Sequence, residues 1–434
     1  MYCVRPWSRV RRTAIPMPMR CFERICRPSE KRFVLSQRQI VAEVNFGRVL
    51  LEDVIPFWIR HGWDRIHGGM ITSLSRDGSI VDTDKSIWFQ GRAAWMFATL
   101  YNTVEPNPQW LEIAESCIGF LERHGVQETS GKLYFTVTRE GQPLRMRRYF
   151  YSESFAAIAY AAMFQASNLE RYRSAAIRMF EAYLLGCFHS GTIASKTDPA
   201  TRPMQSIGPW MIAMATAQEL RANLGDLEVL GVACSVWIDR CIEQIETVFY
   251  KPELAVLMEN VGADGQVLDH FDGRQLNPGH AIECAWFILH ESKLRKDKRL
   301  GGVGLAILDA MWERGWDREY GGLYYFRDVY SKPIQEYWHD MKFWWPHCEA
   351  IIATDIARRL TNHERYHRWH QEVCQWSFDR FGDPEHGEWF GYLHRDARRS
   401  NDLKGSLWKG PFHLPRMLWY CMKLAEPIKD PWGF

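Results

Sequence analysis

Long apolar runs are missing from this 434-residue chain: none approaches the ~18 residues that cross a bilayer, so no membrane span is expected. The 11 cysteines are odd in number and form no C-x-x-C pair, which argues against a disulfide frame and for buried free thiols in a reducing, cytoplasmic setting. No G-x-S-x-G elbow is present, which removes the usual serine-hydrolase nucleophile. Glycine-rich stretches such as Gly301-Gly302-Val303-Gly304 lead to no Gly-Lys-Ser/Thr, which removes a phosphate loop. Excess charge is scarce too: the net value is +2, and because residues 1 to 30 carry seven Arg against two Glu, the rest of the chain sits near −3. That balance carries no nucleic-acid signature.

Aromatic side chains are abundant instead. With 20 Trp, 17 Tyr and 23 Phe among 46% hydrophobic residues, the chain can fill a large core and still line a concave site with rings. A length of 434 ordinarily suggests two or three domains, but a toroid of this size can be one unit. Residues 1–34 read separately as an Arg-rich, nearly acid-free extension: a transit peptide, a disordered arm, or sequence upstream of a start at Met17 or Met19. The extension is expected to be poorly ordered, leaving residues 35–434 as a single catalytic domain.

Helical spacing alternates with Gly, Pro and Asn punctuation and predicts twelve helices, over 36–60, 86–104, 108–124, 152–167, 169–186, 207–222, 228–249, 278–294, 300–314, 338–360, 364–380 and 406–424. Their connections alternate in length. Short turns such as Glu105-Pro106-Asn107, Asn168 and Thr361-Asn362 follow the second, fourth and tenth helices, whereas long connections precede every even-numbered helix. Six helical hairpins in a ring, with all long loops on one face, account for that alternation: an all-α (α/α)6 toroid. Several long connections repeat a pattern. Trp63-Asp64 with Gly68-Gly69 recurs as Trp316-Asp317 with Gly321-Gly322, more loosely as Asp383 to Phe390, and Gly131 to Thr138 is a fourth such stretch. These predict short β-hairpins on the long-loop face.

In that ring the first turns of the even-numbered helices converge on one cavity. They bring Arg92, then Tyr151 to Glu153, then His280 with Glu283, then Trp344, Trp345, His347 and Glu349, and finally Trp408, His413 and Arg416. Metal binding by His280, Glu283, His347 and His413 lacks support, because these residues show no H-E-x-x-H or C-x-x-C spacing among themselves. A glycoside hydrolase with Glu283 and Glu349 as its carboxylates leaves the two histidines without a role. A binding toroid that kept only the scaffold leaves them equally idle. Two imidazoles fit proton transfer beside a carbonyl, one removing a proton from a planar enediolate and the other delivering it to the opposite face. The outcome is epimerisation, with Arg92 or Arg416 stabilising the developing oxyanion.

Gln90-Gly91-Arg92, Asn277-Pro278-Gly279-His280, Trp316-Asp317 with Gly321-Gly322, Met341-Lys342, Trp344-Trp345-Pro346-His347 with Glu349, Gly387-Glu388-Trp389-Phe390-Gly391-Tyr392-Leu393 and Lys409-Gly410-Pro411-Phe412-His413 together resemble the N-acylglucosamine 2-epimerase (renin-binding protein) family. The likeness runs from about Leu35 to the end and is dense in the C-terminal half. It implies an (α/α)6 barrel, usually a homodimer, that interconverts C2 epimers of a sugar with no redox cofactor and no required metal. It assigns the acid/base pair to His280 and His413 and substrate contacts to Arg92, Glu283, Glu349 and Arg416, with Trp344 and Trp408 suited to sugar stacking. Trp408 matches the tryptophan preceding the second histidine in cellobiose 2-epimerases. The wording from Lys342 to His347 points to the N-acylglucosamine branch, whose substrate and product are N-acetyl-D-glucosamine and N-acetyl-D-mannosamine. Mannose epimerases and aldose-ketose isomerases are similar and use much the same residues. ATP modulates some members, and no nucleotide motif is present here.

Overall fold

Inner helices that are apolar on every side and outer helices that are apolar on one side divide this chain into two concentric layers. The computed structural model describes residues 44–146, 149–189 and 197–425, which lie in the compact unit Val44–Phe434. The expected extension over residues 1–34, its boundary with the barrel and residues 36–43 of the first expected helix lie outside the described residues; the described part of that helix begins at Phe46, with Asn45 as its cap.

Among the described residues twelve principal helices follow one another: α1 over 46–62, α2 Ile87–Thr103, α3 Pro108–His124, α4 Tyr151–Ser167, α5 Glu170–Phe188, α6 Gly208–Leu224, α7 Cys234–Gln244, α8 Pro278–Arg295, α9 Lys298–Gly315, α10 Trp344–Thr361, α11 Glu364–Phe381 and α12 His413–Leu424. The even-numbered helices pack in a closed ring, α2 on α4, α4 on α6, and so on until α12 returns to α2. Each odd-numbered helix lies outside, paired with its neighbour in sequence, and α1 closes the sixth hairpin against α12. This is the expected (α/α)6 toroid. Local chemistry sets the hairpins: Asn168, Lys296 and Asn362 end α4, α8 and α10 in the left-handed conformation, and Asp297 caps α9 by accepting from Arg299 N and Leu300 N.

Three boundaries differ from expectation. The helix expected from 228 begins at Cys234, because Leu230 and Gly231 adopt positive φ in a tight turn pairing Glu228–Val229 with Val232–Ala233. The helix expected from 338 begins at Trp344, because Lys342–Phe343 pairs with Tyr392–Leu393. The last begins at His413 rather than 406, so Trp408 stands on the loop before it. In α1 the chain passes through π-helical turns on both sides of Pro56, whose missing N–H breaks the regular hydrogen-bond ladder.

The long-loop face carries short antiparallel strand pairs and the repeated turns. In each turn the Asp is buried, accepts from backbone N–H groups, and pairs with a buried Lys and a more exposed Arg: Asp64 with Lys85 and Arg139, Asp317 with Lys342 and Arg395, Asp383 with Lys404 and Arg76. Burial alone would raise the three carboxyls, but hydrogen bonds from these partners outweigh it and hold them well below the carboxylate range. Inner-helix side chains tie down three of the four loop stretches: Gln90 accepts from Met70 N after the Asp64 turn, His347 Nε2 from Leu323 N after the Asp317 turn, and Glu153 from Leu133 N in the stretch over 131–138. Glycine is required where these meet: a Cβ would lie 2.5 Å from Gln90 Oε1 at Gly69 and 2.9 Å from His347 Nε2 at Gly322, both at positive φ.

Candidate active site

A cavity of about 1010 Å³ lies inside the ring of inner helices, lined near the helix starts by Arg92 of α2, His280 and Glu283 of α8, Trp344 and Trp345 of α10, and His413 and Arg416 of α12. His280 reaches it because Asn277 caps α8, accepting from His280 N, and Pro278 occupies the first helical position. Its Nδ1 lies 3.1 and 3.0 Å from the two oxygens of Glu259. A carboxylate only accepts, so Nδ1 carries the proton and Nε2 is left for chemistry. Burial pulls the His280 pKa down, but the charge and hydrogen bond of Glu259 outweigh it, helped by Glu283 and Glu349, and the net shift is upward.

His413, the first residue of α12, faces a different environment. Its Nδ1 lies 2.7 Å from Glu349 Oε1, which again fixes the proton there. Burial, then the positive charges of Arg92 and Arg416, push its pKa well below the usual histidine value. At neutral pH His413 is therefore neutral while His280 is the more readily protonated of the two. The indole of Trp345 packs against both, 5.0 Å from His280 and 5.8 Å from His413 between ring centroids. Trp344 packs edge-on to His413 at 6.1 Å.

Arg416 Nη2 donates to Glu283 Oε1 at 2.7 Å and lies 2.6 Å from Glu349 Oε1. Glu349 also accepts from Trp286 Nε1. Glu283, Glu349 and His413 present ligand atoms within 4.8 Å of one another, and the cation among them is the Arg416 guanidinium. Arg92 is different: its guanidinium is stacked against Trp88, Phe155 and Phe412, and among the described residues it meets no carboxylate in an ion pair, while the Nε of both arginines is buried without a hydrogen-bond partner. Burial first, then Arg416, lower its pKa to about 9, so it remains a cation at neutral pH and, of the two arginines among the described cavity-lining residues, is the one without a carboxylate partner. Trp408, 41% exposed, meets Trp88 at the cavity mouth.

His280, His413, Arg92, Glu283, Trp344, Trp408 and Arg416 all line the cavity, with Glu349 directly behind His413. His347 does not join them. It is fully buried, lies 2.7 Å from Phe343 O through Nδ1, and burial lowers its pKa to about 3, so it is a neutral structural hydrogen-bonding group. Glu259 was not singled out by sequence reasoning, since it belongs to no motif and its only signal is a place in the long connection before α8. The spacing His363-Glu364-Arg365-Tyr366-His367 does match H-E-x-x-H, but His363 caps outer helix α11 and His367 faces Asn362 Oδ1.

The fold and the paired imidazoles place this chain among (α/α)6 enzymes acting on sugars. The family model described as N-acylglucosamine 2-epimerase (GlcNAc 2-epimerase) matches residues 69–413. The N-acylglucosamine 2-epimerase of Bos taurus is 34% identical over 384 residues, covering 87% of this chain and 90% of the relative. The chain therefore belongs to the N-acylglucosamine 2-epimerase family and is an isomerase, a sugar 2-epimerase. Among solved structures, cellobiose 2-epimerase from Bacillus thermoamylovorans B4167 superposes with TM-score 0.75 at 17% identity, covering 87% of this chain and 98% of that one. A D-mannose isomerase superposes with TM-score 0.75 at 16% identity, over 89% and 100%. These two show the shared fold. Among the described residues no helix is long and apolar enough to cross a membrane.

Proposed function

We propose that this protein interconverts N-acetyl-D-glucosamine and N-acetyl-D-mannosamine by proton transfer at C2 between His280 and His413. The observation that carries the reading is the matched pair of dyads, Glu259 with His280 and Glu349 with His413, both imidazoles lining one cavity and packing against Trp345. Each carboxylate fixes its imidazole with Nε2 toward the reaction. On the open-chain aldehyde, neutral His413 removes the C2 proton. The negative charge moves onto the C1 oxygen, where Arg92 supplies the positive charge and hydrogen bonds. Protonated His280 then delivers its proton to the opposite face of C2, inverting it. The reverse reaction exchanges the roles. The chemistry is redox-neutral and calls for no cofactor.

Glu283 and Glu349 hold Arg416 rather than flanking a glycosidic bond, which supports epimerisation over hydrolysis. The N-acyl preference rests on the curated relatives, named N-acylglucosamine 2-epimerase at 33–34% identity, against 23% for a cellobiose 2-epimerase. The test is incubation with N-acetylglucosamine, glucose, mannose and cellobiose in D2O, followed by NMR. The expected product is N-acetylmannosamine carrying deuterium at C2. A ketose from mannose would establish isomerase chemistry instead, and turnover of cellobiose alone would overturn the substrate.

A further inference from the structure

The axial cavity does not end at the reaction centre. Beyond Arg416 it continues toward the short-loop end of the barrel, where the exposed residues Thr103, Gln165 and Ala222 also line it. His290 lies ten residues past His280 on the same helix, about 15 Å further along the axis at ~1.5 Å per residue. This second compartment is walled by rings: Trp95 meets Trp419 edge-on at 6.0 Å and 88°, and Trp419 meets Tyr420 at 6.0 Å. Glu219 stands among them, lining the cavity, with Oε2 accepting from Trp95 Nε1 at 2.8 Å. Its charge reaches the Tyr420 phenol.

Among the described residues Glu219 has no ion-pair partner. The nearby cation, Arg416, is already engaged by Glu283 and Glu349. Burial raises the Glu219 pKa, as for a carboxylate lacking adequate counter-charge. Nothing in the epimerisation uses this group. A carboxylate that lines a cavity beside aromatic side chains complements a small organic ammonium ion, which gains Coulomb attraction from Glu219 and packs its apolar groups against the rings.

We propose that the short-loop end of the cavity, formed by Glu219, Trp95, Trp419 and Tyr420, is a second binding site that takes a small organic ammonium ion. The site adjoins the reaction centre through one shared wall, since Trp95 packs on Phe412 at 5.3 Å and Phe412 abuts His413. Occupancy is independent of which sugar is turned over.

The experiment is calorimetric titration of the purified protein with choline and, separately, with 3,3-dimethyl-1-butanol, its uncharged isostere. Choline is expected to bind at least tenfold more tightly than the isostere, to keep that affinity in saturating N-acetylglucosamine, and to lose at least tenfold in the Glu219→Gln variant. Equal binding of the two compounds, absence of choline binding at millimolar concentration, or undiminished binding by a folded Glu219→Gln protein would each overturn the proposal. Displacement of choline by the sugar would place it in the reaction centre and overturn it too. If Glu219→Gln does not fold, the comparison of charged and uncharged isosteres on the unaltered protein decides, and Trp419→Leu is expected to weaken choline binding severalfold.

Discussion

Glu259 places both of its carboxylate oxygens on one nitrogen of His280, at 3.1 and 3.0 Å, across 21 residues of sequence. That contact raises the His280 pKa against the pull of burial. Glu259→Gln keeps a hydrogen-bonding group in place but removes the charge, so the His280 pKa should fall and less of the imidazolium should be present at neutral pH. The limb of the kcat profile that reports His280 is expected to move to lower pH, with kcat reduced roughly 10- to 100-fold, as for other partners that orient a histidine. An unmoved limb in a correctly folded variant would remove Glu259 from the mechanism.

The two histidines differ enough to be told apart by isotope exchange. His280→Asn and His413→Asn should each lower epimerisation by roughly two to four orders of magnitude. Because one base survives in each variant, each should still exchange C2 hydrogen for deuterium in one epimer without inverting it, and the two variants should exchange opposite epimers. Measuring deuterium incorporation into the recovered substrate checks this. Full inversion by either variant would exclude a two-base pathway.

Arg92 stacks on three rings and, among the described residues, meets no carboxylate in an ion pair, whereas Arg416 is pinned between two. Only Arg92 is free to meet a developing oxyanion. Arg92→Met, which preserves much of the apolar packing, is expected to lower kcat about 100- to 1000-fold with a smaller change in KM, as for loss of an oxyanion donor. A change confined to KM would make Arg92 a ground-state contact instead.

The architecture was legible because it lies in the lengths of connections and in helix starts. Asn168, Asn362 and the Trp-Asp-x-x-x-Gly-Gly turns each mark a bend by local chemistry, and local chemistry is what a sequence displays. His280 and His413 were legible for the same reason, since both sit in the first turn of an inner helix. Glu259 was not, because its role arises from the pairing of Met204–Ser206 with Asn260–Gly262, and no local pattern announces that distant register. His347 was ambiguous because it shares the first turn of α10 with true cavity residues while pointing to the Leu323 backbone. His347→Ala should accordingly cost about 1–3 kcal/mol of stability for the lost hydrogen bond, seen in urea unfolding, while kcat is retained.

The repeated Asp turns predict how the barrel responds to acid and to mutation. Asp317 is buried with Lys342, 3.0 Å from its Nζ, and Arg395 covers the pair from the solvent side. A carboxyl with a folded pKa below its unfolded value contributes stability that is complete above the unfolded pKa of about 4 and is lost as pH falls toward the folded one. Asp64, Asp317 and Asp383 all lie on that side, so their combined contribution should decline only below about pH 4 and make the acid transition steep. Asp317→Asn leaves the Lys342 ammonium buried without its counter-charge and should cost about 3–5 kcal/mol at neutral pH. Adding Lys342→Met removes the stranded charge, so the double variant should recover much of that loss. Urea unfolding of the four proteins at pH 7 checks the cycle, and strict additivity of the two single changes would mean that the pair is not coupled.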